Sequence, residues 1–182
     1  RLNMIYAAAT EQVLVRRLAA LHKDRYPLQD IGVQELALVR VASRIPGLSR
    51  GSTALLSMQA MAGGVHLCEE GQLYLSRAVD FSGRDSSGEG VAQDGRADRV
   101  ALDVQRSLDY YESQIGKMAP SRLVWFASEM LGESFMQALQ ARVTVECIAA
   151  DLEKIVRWPE TVASEHQANW ASALGAALRG EE

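Results

Sequence analysis

The sequence predicts an α/β protein built on a mixed sheet, with three antiparallel strands followed by two strands that return through helices. Three observations carry this expectation. Short apolar runs alternate with segments of helical period, glycine-bearing turns sit between the first three runs, and the 182 residues are 48% hydrophobic and 23% charged, enough to bury a core.

From the amino end, Leu2 to Ala9 reads as a buried strand, and Thr10 followed by Glu11 has the form of an N-cap with an acidic first turn. Leu14, Leu18 and Leu21 then recur at helical spacing until Pro27 stops the helix. Leu28 to Val33 reads as a short strand, and Glu35 to Ser43 as a helix that is apolar nearly all round. The first fifty residues therefore read βαβα. Pro46, Gly47, Ser49, Gly51 and Ser52 form a connector, and the reading divides the chain there, into a partial first lobe over 1–50 and a second lobe over 51–182. A chain that enters an apolar strand directly after Arg1 reads as a piece of a longer protein.

Thr53 to Met58, Val65 to Cys68 and Leu73 to Val79 are the three strand signals of the second lobe. Glu69, Glu70 and Gly71 form a tight turn between the last two, and Gly63 and Gly64 read as the turn before them. Ser82 to Gly95 has few apolar residues and reads as a loop. Val100, Val104, Leu108, Tyr111 and Ile115 then fall on one helical stripe, with Gly116 placed to end the helix. Leu123 to Ala127 is a strand, Glu133 to Arg142 a helix, Val143 to Ile148 a strand, and Gln167 to Leu178 a last helix. The order βββα, βα, βα is the ribonuclease H-like order.

Composition narrows function by exclusion. A net charge of −4 and a pI near 5.5 provide no positive field for phosphate backbones, so nucleic acid is not the expected partner. No apolar run reaches the ~18–20 residues of a membrane helix, and the start shows no signal-peptide pattern. The two cysteines, Cys68 and Cys147, lie in apolar surroundings that suit reduced cytosolic thiols. His22, His66 and His166 stand at no recognised ligand spacing, there is no CxxC pair, and no GxSxG sequence stands at a strand-to-helix elbow. A two-metal nuclease needs a carboxylate on its first strand, and Thr53 to Gln59 has none. Asp80, Asp103 and Asp109 read as a strand-end residue and two solvated helix charges. Trp125, Trp158 and Trp170 read as packing residues. Neither a metal nor a cofactor is expected.

Three stretches carry a family resemblance: QRSLDYYESQIG from Gln105 to Gly116, QLYLSR from Gln72 to Arg77, and ALGAALR from Ala173 to Arg179. Together they resemble the MshI family of MSHA pilus biogenesis proteins, which is related to PilM and to the cytoplasmic domain of the type II secretion L protein. The resemblance runs over nearly the whole chain and implies an actin-like, ribonuclease H-like fold. It also implies a place in a type IV pilus assembly platform, at the cytosolic face of the inner membrane and without insertion into it. The partner implied is another platform protein, a bitopic inner-membrane protein whose short segment docks on the fold. The alternatives are a PilM-like ATP-binding protein and a type II secretion L-like cytoplasmic domain.

Nucleotide-hydrolysing members of that superfamily carry an aspartate and a glycine on the phosphate hairpin. In PilM-like sequences the Asp-Ile-Gly of the second lobe would fall on Ser57, Met58 and Gln59. The adenine-side glycine pair would fall on Ser128 and Glu129. Both motifs have therefore departed from the hydrolase pattern, and the resemblance implies a non-catalytic scaffold. Tyr74, Arg77 and Tyr110 are the partner-facing candidates. Tyr110 earns its place because Tyr111 continues the core stripe and an adjacent helical residue points about 100° away. Leu2 to Ala9, as an open-edged strand, predicts pairing with the 28–33 strand on one side and with a second copy or another chain on the other.

Overall fold

The structure, a computed structural model, describes residues 10–13, 16, 19, 31–58, 62–80, 93–126, 133–159 and 168–180. The chain divides into two compact units, Arg1–Val33 and Gln34–Glu182. In the first, Glu11, Gln12, Val13, Arg16 and Ala19 are helical, and the Val13 amide donates to the Thr10 carbonyl at 3.0 Å. Leu2 to Ala9 lies outside the described residues. Of the strand read over 28–33, residues 28–30 lie outside the described residues, and Ile31 to Val33 are not in a strand; they lead straight into the next helix.

That helix, α1 (Gln34–Arg44), opens the second unit. It stands before the connector that the reading took as a lobe boundary, yet its buried residues Leu38, Val39, Val41 and Ala42 pack with Leu55, Val124 and Phe126 of the sheet. The strands are β1 (Ser52–Met58), β2 (Ala62–Glu69), β3 (Gln72–Asp80), β4 (Arg122–Phe126) and β5 (Glu146–Ala149). They form one five-stranded sheet in the order β3-β2-β1-β4-β5. β1 pairs antiparallel with β2 and parallel with β4, β2 pairs antiparallel with β3, and β4 pairs parallel with β5. The mixed sheet expected over 53–148 is present.

β1 is central and covered on both faces, so six of its seven residues are buried and it reads as a continuous apolar run, not an alternating one. One face carries α2 (Gln93–Tyr110) and α3 (Glu133–Gln140). Val104, Leu108 and Tyr111 pack there against Ala54, Leu56, Val65 and Leu67, as their spacing predicts. α2 begins earlier than the sequence suggested: Gly95 lies within it, because Ala97 extends the buried stripe by a turn. The last turn, Tyr111–Ile115, widens to a π-helix and ends at Gly116, whose φ of 73° is left-handed. The opposite face carries α1 and α4 (Ala171–Ala177). These two helices approach so closely that a Cβ on Gly175 would stand 2.0 Å from the Ala37 carbonyl oxygen.

The β2–β3 turn matches its sequence. Glu70 and Gly71 have φ of 50° and 79°, and Glu69 faces Gln72 across a two-residue loop, the left-handed pair that suits strand twist. Gly63 and Gly64, expected in a turn, are instead in β2, opposite Met58 and Ser57. Val143 and Val145 are buried but precede β5. Trp125 is buried and Trp158 half-buried as packing residues, whereas Trp170 is exposed.

Candidate hairpin cavity on the sheet

Side chains alternate across a strand, and residues opposite each other on antiparallel neighbours share a face. The pairs Ser57 with Gly64 and His66 with Ser76 therefore place Ser57, His66 and Ser76 together on the α1 face. The His66 ring lies between the two hydroxyls, with Nε2 2.9 Å from Ser57 Oγ and Nδ1 3.0 Å from Ser76 Oγ. The Ser57 hydroxyl also reaches the Gly64 carbonyl at 3.4 Å. Gly64 makes this possible: a Cβ there would stand 2.6 Å from His66 Cε1 and 3.2 Å from the Arg77 carbonyl oxygen. His66 is 4% exposed and Ser57 8%.

Above this chain of hydrogen bonds lies a cavity of about 150 Å³, lined by Gln34, Glu35, Ser57, His66, Ser76 and Arg77 among others. Glu35 enters from the first turn of α1. Burial holds His66 below its ordinary pKa, and the Glu35 carboxylate opposes that effect only in part. The imidazole is thus neutral at pH 7, and Glu35 brings a carboxylate to the cavity wall.

Two of the three residues of the expected phosphate hairpin are described. Ser57 is bound to His66, and Met58 is buried in the core on the other face. Gln59 lies outside the described residues, as do Ser128 and Glu129. The Ser57–His66 pair was not visible as a motif, because residues nine apart meet only when two strands pair in this register. Among the described residues no group of three or more His, Cys, Asp or Glu side chains could hold a metal ion.

The partner-facing candidates are dispersed. Tyr74 belongs to a cluster at the other end of the hairpin, where its ring meets Tyr111 edge-on at 6.1 Å and Lys117 lies 4.8 Å above it. Lys117 also pairs with Glu69, which holds its ammonium above the ordinary range. Tyr111, buried and near Ser52, has its phenol pushed up by burial. Arg77 is half-buried on the edge strand β3. It faces Val65 and so projects from the α2 face, leaving its carbonyl beside Gly64. Tyr110 is 45% exposed on α2.

The strand order, with its antiparallel meander and two parallel additions, defines an actin-like α/β fold of the ribonuclease H type. No protein-family model and no curated protein matches this sequence. Among solved structures, the chain is similar to the PilM-PilN type IV pilus biogenesis complex, at 19% identity and a TM-score of 0.61, over 94% of this chain and 59% of that one. It is also similar to a Bacteroides thetaiotaomicron protein with an actin-like ATPase fold and unknown function, at 15% identity and a TM-score of 0.43, over 75% of this chain and 48% of that one. The chain thus spans 59% of the length of its match in the pilus complex, and at this identity the likeness establishes the fold. Among the described residues, no helix is long and apolar enough to cross a membrane.

Proposed function

We propose that this chain is a non-catalytic scaffold of a type IV pilus assembly platform of the MSHA type, working at the cytosolic face of the inner membrane and docking a bitopic platform protein. The fold likeness to a PilM-PilN complex, together with the MshI-like stretches, supports the setting. The observation that carries the non-catalytic part is the hairpin cavity. Where the resemblance calls for an aspartate, Ser57 is engaged by a neutral histidine. The carboxylate of Glu35 stands on the cavity wall near His66, where it repels phosphate, and a partly buried charge is screened less than one in water. A PilM-like ATP-binding role would need that field reversed.

Co-expression of the tagged protein with the bitopic proteins of its own pilus platform, followed by purification in mild detergent, tests the docking role. The expected result is a stoichiometric complex with one of them. Purification free of every platform protein would overturn it.

A further inference from the structure

We infer that the cavity beneath the first turn of α1 is a binding site for a primary ammonium group, presented as a lysine side chain by a protein partner. The preference for an ammonium group follows from the cavity alone; the lysine as its source rests on the docking role proposed above.

Three features of the site point to this ligand. The first is an uncompensated charge. Glu35 is half-buried on the cavity wall, and among the described residues no cation pairs with it. Arg77 also lines the cavity, where its carbonyl lies beside Gly64; its side chain leaves β3 on the opposite face, since Arg77 faces Val65 and Val65 lies in the α2-side core. His66, whose ring lies between the two serines of the cavity, is kept neutral by burial. A partly buried carboxylate without a counter-ion is a costly arrangement that an incoming cation relieves.

The second feature is the set of acceptors. An ammonium group has three N–H donors and no acceptor. Around the cavity stand the Glu35 carboxylate, the hydroxyl oxygens of Ser57 and Ser76, and the Arg77 carbonyl beside Gly64. Both His66 ring nitrogens are already occupied by the two serines, which fixes the hydroxyls in place before any ligand arrives.

The third feature is the space itself. Its volume of about 150 Å³ corresponds to roughly five water volumes, room for an ammonium group and its last methylenes. Gly64 keeps it open, because any side chain there would collide with the His66 ring.

Titration of the 15N-labelled protein with Nα-acetyl-lysine methylamide, followed at the Gly64 and His66 amides, tests the site. The norleucine analogue has the same carbon chain without the charge, and the arginine analogue offers a planar fork instead of an ammonium group. Saturable shifts with the lysine compound, at least tenfold weaker with either control and at least tenfold weaker in Glu35→Gln, are the expected result. Equal response to norleucine or arginine, no saturation, or unchanged affinity in Glu35→Gln would overturn the site. Ser76→Ala, which removes one acceptor from an exposed position, should weaken binding severalfold with the fold intact. The source is tested separately by repeating the platform co-purification with Glu35→Gln, which should lose most of the captured partner. Unchanged capture would remove the lysine as source and leave the docking role standing. A lysine response with no captured partner would do the reverse.

Discussion

Two glycines show how a missing side chain sets the local structure. In an exposed helix interior, Gly→Ala gains up to about 1 kcal/mol of helix propensity. At Gly175 the sign reverses, because the new Cβ would meet the Ala37 backbone at 2.0–2.8 Å and the two helices would have to part. Gly175→Ala should destabilise the protein by about 1–3 kcal/mol, read as a lower urea midpoint at unchanged slope. Gly64→Ala should cost a similar amount and displace the His66 ring, visible as a changed imidazole chemical shift. His66 itself makes stability depend on pH. Its pKa in the folded protein is held below the ordinary 6.5 by burial, so the unfolded chain binds the extra proton more readily. The stability from this group is fully present above about pH 6.5 and is lost as pH falls through the lower folded value. Urea titrations at pH 7.5 and pH 5 should therefore show a loss on acidification that is smaller in His66→Gln; equal losses would remove His66 as the cause. Cys68, pushed up to about 12 by burial, should resist thiol reagents at pH 8 until the protein is unfolded.

Among the elements, the helix after β3 was the most legible, because a long amphipathic stripe needs little context. Val104, Leu108 and Tyr111 are buried as their spacing required, and Gly116 ends the helix in the left-handed conformation that favours glycine. Leu108→Ala should cost about 2–5 kcal/mol, the range for truncating a buried leucine. Gly116→Ala should cost about 1–2 kcal/mol through its positive φ. It should also loosen the Lys117 contacts with Glu69 and Tyr74 that follow the turn, measurable as heightened amide exchange at 117. Less legible was the start of β2. A Gly-Gly pair signals a turn to any local reading, whereas pairing with Met58 and Ser57 holds it in β2, and the His66 ring, two residues on and on the same face, requires glycine at 64. The site was hidden for the same reason. Its members come from α1, β1, β2 and β3, and strand register, which no local pattern encodes, brings Ser57 to His66 and His66 to Ser76.

For the molecule as a whole, the alternation of strands and helices after Gly51 was enough to give the sheet and its covered faces. Ahead of it, α1 is apolar nearly all round and so carries no mark in the sequence of which sheet it covers. Its place on the face opposite α2 closes the second core with α4 and sets Glu35 over the hairpin. The same placement gives the scaffold account its sharpest consequence, since a nucleotide would have to bring its phosphates to a hairpin guarded by a carboxylate. Isothermal titration calorimetry of the protein with ATP and magnesium tests this most directly. The account predicts no saturable heat and no release of phosphate; saturable binding accompanied by shifts at the Gly64 and His66 amides would contradict it.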